Sequence, residues 1–205
     1  MRAFSALLTV AALSLSLVLT APAHAEATTD IKTIPSGTYQ IDPNHTSITF
    51  KILHMGFSHY TGRFDKMDAT LNWNNTAPEQ SALDVTVYPN SVDTNNAKLE
   101  EELRGDKFFD VIKFPRATFR ATKIERTGAT TGKITGDFTM LGVTHNVVLD
   151  TTLVGGGEHV MLKKPVIGFS ATGVIHRSDY GFTNLIPLVG DDVMLEIETE
   201  FDKAE

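Results

Sequence analysis

The sequence predicts an all-β fold, an extended antiparallel β-barrel of about eight strands with one short amphipathic helix. Three observations predict it. Apolar and polar residues alternate with period two in run after run, so each run has one face to bury and one to leave in water. Turn-forming residues separate the runs, at Asn74-Asn75, Gly128, Leu141-Gly142, Gly155-Gly156-Gly157 and Gly190-Asp191. One stretch alone exchanges period two for a helical spacing. The runs average about ten residues, which favours a closed barrel over a two-sheet sandwich, because long strands must tilt to close. Such a barrel is either filled by its own side chains or holds one small ligand.

Before the first run comes a segment outside the fold. Met1-Arg2 is followed by an apolar run over residues 6–19, broken only by Ser and Thr, and then by Ala23-His24-Ala25. A positive start, a short apolar stretch and a small-x-small tripeptide form the pattern of a cleaved signal peptide, so residues 1–25 read as a leader for export. The run is too short and too rich in Ser and Thr for a membrane span. Removing Arg2 leaves 17 Lys and Arg against 25 Asp and Glu, a net charge of −8. That balance argues against nucleic acid and against electrostatic docking on an anionic bilayer. Leader and acidic body together point to the periplasm, or to secretion beyond it. The chain has no cysteine, so it carries neither a disulfide nor a lipid-modified N-terminal Cys, and its core alone must hold it. Residues 26–36 read as a flexible leader and residues 37–202 as one domain.

In the first run, Ile48, Phe50 and Ile52 alternate with Ser47, Thr49 and Lys51. Ala69, Leu71 and Trp73 then alternate with Asp68, Thr70 and Asn72, and Leu83, Val85 and Val87 with Ala82, Asp84 and Thr86. Ile134, Phe138 and Met140 follow, then Val147, Leu149 and Leu153. The last run is the cleanest: Val193, Leu195, Ile197, Thr199 and Phe201 share one face, and Met194, Glu196, Glu198 and Glu200 the other.

Residues 93–119 depart from this pattern. Leu99 and Leu103 are four apart and stack on one face of a helix, with Lys98, Glu100, Glu101, Glu102 and Arg104 facing water. Asn95 or Asn96 can cap its start, and Gly105 suits a left-handed residue after its end. Phe108 and Phe109 follow at once, and Pro115 stops any continuation. A short helix with one apolar edge, trailed by two aromatics, has the make-up of a lid.

Catalytic chemistry finds little support. His45, His54, His59, His145, His159 and His176 are scattered, with no His-Glu-x-x-His, no haem attachment sequence and no Cys/His cluster, so no metal site and no catalytic residue is assigned. Gly168-Phe-Ser170-Ala-Thr172 lacks the second glycine of a nucleophile elbow. The reading is of a protein that is not an enzyme and has no resident cofactor.

Several linked segments resemble the YceI-like family. They are Tyr39-Gln-Ile-Asp42-Pro-Asn-His45-Thr-Ser47-Ile-Thr-Phe50, Lys51-Ile-Leu-His54-Met-Gly56-Phe-Ser with Gly62-Arg63-Phe64, and Ser91-Val-Asp93-Thr94-Asn-Asn. Leu103-Arg-Gly-Asp-Lys-Phe108-Phe109-Asp, Phe114-Pro115-Arg-Ala-Thr118-Phe119, Thr135-Gly136-Asp137-Phe-Thr139-Met-Leu-Gly142-Val-Thr144 and Arg177-Ser178-Asp179-Tyr180-Gly181 complete the set. The resemblance implies a lipocalin-like barrel, exported to the periplasm, that encloses a long apolar ligand: a polyisoprenoid, an isoprenoid quinone or a fatty chain. It also implies a redox-quinone setting, with contact to the membrane or to a cytochrome b561-type membrane protein, and a homodimer formed through strand edges or loops. The chain departs from the family pattern at Glu102 and at Leu141, where relatives often have histidine.

On this reading the ligand-lining residues are Phe50, Ile52, Phe57, Leu71, Trp73, Leu83, Val85, Leu99, Leu103, Phe108, Phe119, Phe138 and Met140. Arg63, Arg104 and Arg177 are candidates for a polar head group at a mouth, against the alternative of structural ion pairs. Two rival readings stay open: a lipid-modifying enzyme, and a filled barrel that acts as a partner module.

Overall fold

A computed structural model describes residues 27–205; the signal peptide expected over 1–25 lies outside the described residues. The strands are β1 (Gly37–Ile41), β2 (Ser47–His54), β3 (Ser58–Phe64), β4 (Met67–Trp73), β5 (Ala82–Val87), β6 (Val92–Asp93), β7 (Ala117–Arg126), β8 (Thr131–Met140), β9 (Val143–Glu158), β10 (Pro165–His176) and β11 (Val189–Lys203). The helix, α1, spans Ala97–Arg104. The order β1-β4-β5-β7-β8-β9-β10-β11 closes on itself through β1 and β11, giving an eight-stranded antiparallel barrel. Strands β2, β3 and β6 extend it along β11: the far part of β11 pairs with β2 (Ile197↔Ile48, Leu195↔Phe50), and β2 pairs in turn with β3.

Sequence explains why β1 and β2 are separate. Asp42-Pro43-Asn44-His45 forms a tight turn in which Asp42 Oδ1 accepts the Asn44 N–H (2.8 Å) and the Asp42 carbonyl accepts the His45 N–H (3.3 Å). Pro43 has no N–H to give a ladder. Between β5 and β6, Pro89 and Asn90 bend the chain into a single 3-10 turn, Pro89–Ser91. Beyond it β6 pairs only with β3, and α1 with the loop after it connects β6 to β7.

The helix is fastened by its expected cap and by two polar groups that the sequence alone assigns to water. Asn96 is the cap, accepting the Leu99 N–H at 3.2 Å. Glu100 Oε1 accepts the N–H groups of Thr94 (2.9 Å) and Asn96 (3.2 Å), as a capping-box carboxylate does. Arg104 donates to the carbonyls of Asn90 (2.9 Å) and Val92 (3.0 Å). Glu100 and Arg104 are therefore anchors rather than a solvated face. Gly105 is not left-handed: at φ −69°, ψ 171° it is extended. The turn closes instead through Asp110, at φ 41°, whose N–H reaches the Gly105 carbonyl at 2.9 Å.

Two further expectations fail together. Gly155, Gly156 and Gly157 do not form a turn but lie inside β9, and the residues before β1 are packed rather than loose. Thr28 bridges Gly156 in both directions (2.8 and 2.9 Å), Ile31–Thr33 makes a 3-10 turn, and Ile34 is fully buried. A Cβ on Gly156 would come within 2.6 Å of Ile34 Cδ1, and one on Gly155 within 3.0 Å of the Ala27 Cβ. The glycine run is a slot for the leader. Gly190-Asp191 likewise lies within β11, beside a break in its register with β2, and not in a free turn.

Buried apolar residues fall into two groups along the barrel. One, at the leader end, joins Ile34, Tyr39, Ala69, Leu71, Trp73, Leu153, Ile167 and Phe201. The other, at the helix end, joins Val92, Phe109, Phe119, Met140, Val147, Leu149, Ile175 and Tyr180, with Leu103 and Phe182 packed against them.

Candidate binding cavity

Between the two groups lies a cavity of about 460 Å³, within the range of small-molecule sites. Its wall is almost wholly apolar because each strand turns its apolar alternates inward. Phe50 and Ile52 come from β2, Leu71 and Trp73 from β4, Leu83 and Val85 from β5, Phe119 from β7, and Phe138 and Met140 from β8. Leu99 and Leu103 reach it from α1 and Phe108 from the loop behind. Twelve of the thirteen residues assigned from sequence thus stand in one wall. Phe57 does not: it sits in the β2–β3 turn after left-handed Met55 (φ 51°) and Gly56 (φ 74°), 85% exposed and outside the cavity. The alternation that placed Phe50 and Ile52 inside ends at that turn, so it cannot reach Phe57.

Other lining residues carry a signal in the same alternation or in their aromatic character. Val193, Leu195, Ile197 and Phe201 share the inward face of β11, and Phe64, Phe169 and Phe182 join the wall. Ile31 and Leu185 carry none, because their places depend on how the leader and loops fold back. The helix end is an aromatic cluster: Phe64 meets Phe109 edge-on (5.6 Å between centroids), and Phe182 meets Phe108 (5.5 Å) and Phe109 (5.3 Å).

Residues 39–201 match the YceI-like domain family. The chain belongs to the YceI-like family. Protein YceI of Salmonella arizonae is 36% identical over 164 residues, which is 79% of this chain and 85% of that protein. A crystal structure of the Campylobacter jejuni YceI protein is 35% identical and superposes with a TM-score of 0.66, covering 76% of this chain and 91% of that one. A polyisoprenoid binding domain from Saccharophagus degradans, 14% identical, shares the fold with a TM-score of 0.58 over 83% of this chain and 100% of its own.

In this YceI-like barrel the three candidate arginines are engaged in structure. Arg177 is buried, and its guanidinium donates to the carbonyls of Gly190 (2.8 Å), Phe182 (2.9 Å), Asn184 (2.8 Å) and Val189 (2.9 Å), clasping the β10–β11 connection. Arg63 pairs with Asp65 (2.9 Å) and Asp93 (3.1 Å), and Arg104 serves α1. Glu102 is exposed at the rim of the cavity. Leu141 takes φ 53° beside Gly142 (φ 78°) in the two-residue β8–β9 turn.

The titratable groups with shifted values lie mainly outside the wall. Burial pushes Tyr180 up to about 12; it is stacked edge-on against Phe138 and His145, each with centroids 5.3 Å away. Burial also raises the Asp42 carboxyl, but hydrogen bonds from His45 and Asn44 outweigh it and hold the group below its ordinary value. In return the Asp42 hydrogen bond raises His45, and Asp192 does the same for His176. Asp42, His45 and Glu200 offer ligand atoms within 4.8 Å of one another, but both Asp42 oxygens are already committed, to Asn44 and to His45.

Proposed function

We propose that this protein binds and carries one long apolar lipid, a polyisoprenoid, an isoprenoid quinone or a fatty chain, inside its barrel. The observation that carries the reading is the cavity: about 460 Å³ of space with an apolar wall drawn from most of the strands and from α1. Enclosing sixteen CH2-sized groups is worth about 13 kcal/mol gross at about 0.8 kcal/mol each, less several for lost freedom, which leaves room for micromolar binding without a charged contact. The Saccharophagus degradans domain that shares this fold is a polyisoprenoid binding domain, in keeping with it. A lipid-modifying enzyme would need polar groups converging on the cavity, and the two arginines that line it, Arg126 and Arg177, are spent on backbone carbonyls.

The apolar residues exposed at the helix end extend the reading to a membrane. Met55, Phe57, Leu185 and Leu188 stand out on two adjoining loops, joined by the hydrogen bond from Met55 N–H to the Leu188 carbonyl (2.7 Å), and Leu185 also lines the cavity. Loading from a bilayer surface through this end would bring a quinone-carrying form next to a cytochrome b561-type partner. The test is native mass spectrometry and solvent extraction of protein purified from the periplasm. Stoichiometric recovery of a long-chain lipid is the expected result; a clean apo mass with no lipid extracted would sink the proposal.

A further inference from the structure

Among the described residues, two buried side-chain polar atoms have no hydrogen-bond partner, and both belong to the cavity wall: Trp73 Nε1 on β4 and Thr151 Oγ1 on β9. Phe169 links them. Its ring meets the Trp73 indole edge-on with centroids 6.1 Å apart, and its strand pairs so that Leu153 faces Phe169 and Thr151 faces Ala171.

Neither polar group is required by the packing. Thr151 falls between Leu149 and Leu153 on the inward face of β9, where valine has the same shape without the hydroxyl. Trp73 follows Ala69 and Leu71 on the inward face of β4, where phenylalanine would supply the aromatic surface. Polar neighbours in the same half are satisfied: Tyr39 Oη donates to the Pro35 carbonyl at 2.6 Å, and Thr46 and Thr199 hydroxyls bond each other at 3.1 Å. A buried donor left unpaired is costly, so an orphan pair in a binding cavity points to a partner supplied from outside the protein.

The chemistry of the pair defines that partner. An indole N–H only donates, and a threonine hydroxyl supplies a second donor, so the partner is an acceptor. No buried cation stands with them, and Arg126, the cation of the wall at this end, lies out on the exposed β7–β8 hairpin with its guanidinium 3.4 Å from the Ala129 carbonyl. Two neutral donors in an apolar wall suit a neutral oxygen and not a charged phosphate or carboxylate.

We propose that the bound lipid carries a neutral carbonyl oxygen, as in a quinone ring, ketone or ester, which Trp73 and Thr151 receive in the leader half while the tail runs toward α1. This rests on the lipid-carrier reading above. Both atoms are closed off from the open part of the cavity, so the oxygen reaches them by turning the half-buried Phe169 ring.

Trp73 is the only tryptophan in the chain, so one indole N–H signal reports the site. The experiment titrates the mature protein with a long-chain methyl ketone and with the alkene of equal length, following that signal by NMR and affinity by calorimetry. The ketone is expected to move the indole proton downfield and to bind about tenfold more tightly than the alkene, the difference one added hydrogen bond makes. Trp73→Phe and Thr151→Val should each abolish that preference, so that ketone and alkene bind the variant alike. Equal binding of both probes overturns the inference, and so does an indole signal that the ketone leaves unmoved, the mark of a buried water in its place. A polyprenyl phosphate that binds more tightly than the ketone and depends on Arg126 overturns it as well, by placing the head group at the hairpin. Failure of every probe to bind folded protein instead sinks the carrier reading itself.

Discussion

At the leader end Ile34, Tyr39 and Ile167 are wholly buried, sealed where β1 meets β11 and the leader drops into the glycine slot of β9; at the helix end α1 has no buried residue at all. The first end is closed by strand pairing and side-chain packing, the second by loops, one capped helix and a ring of half-buried phenylalanines. Local opening draws on regions with few buried contacts and exposed backbone, so the difference assigns stability to one end and access to the other. The cavity joins the two.

The largest expected effect tests the tight end. Ile34→Ala should cost about 3 kcal/mol, since a fully buried aliphatic side chain is lost from a site the rigid strands cannot collapse around. Urea unfolding measures it, and a cost below about 1 kcal/mol would mean that the leader is dispensable after all. Next comes Arg177→Met, which strips four carbonyls of their donor at the helix end and should cost about 2 kcal/mol. Hydrogen exchange should show that loss concentrated in residues 177–190, with the leader end protected as before.

Leu103→Asp sharpens the comparison most directly. Leu103 lines the cavity yet is only half-buried, so the variant should lose most of its lipid in extraction while its melting temperature falls less than that of Ile34→Ala. Equal loss of both would make α1 part of the core and not a lid. Asn96→Ala removes the cap and should cost about 1 kcal/mol, seen as faster amide exchange in α1 alone.

The smallest effect is electrostatic. His176 has its imidazole value raised above 6.5 by Asp192, so its contribution is complete below 6.5 and is lost as pH rises through the raised value. His45 behaves alike through Asp42, whose own lowered carboxyl contributes above 3.8 and fades as pH falls through its folded value. The His176–Asp192 pair is exposed on both sides, so wild type should lose a small margin over His176→Gln as pH is raised from acidic to neutral, read from paired thermal melts, and added salt should shrink it.

Much of this was legible because period two is a strict rule. Val193, Leu195, Ile197 and Phe201 had to share a face once β11 was a strand, and so did Ala69, Leu71 and Trp73 on β4. What escaped depends on contacts between residues far apart in the chain. Gly155-Gly156-Gly157 looks like a turn in isolation and becomes a slot only when Ile34 arrives from more than a hundred positions away. Glu100 and Arg104 look solvated until Thr94, Asn90 and Val92 are set beside them. The orphan donors of Trp73 and Thr151 have no sequence signature, since a strand pattern counts both residues simply as inward.

The pairing of β1 with β11 sets an order of events. Tyr39 lies opposite Lys203 and Ile41 opposite Phe201, so the first stave of the barrel and the last are neighbours. No closed wall, and hence no enclosed space for a lipid, can exist until nearly the whole chain is available to fold. Loop closure over that length makes folding slow, and an unclosed chain keeps its edge strands exposed for as long as it waits.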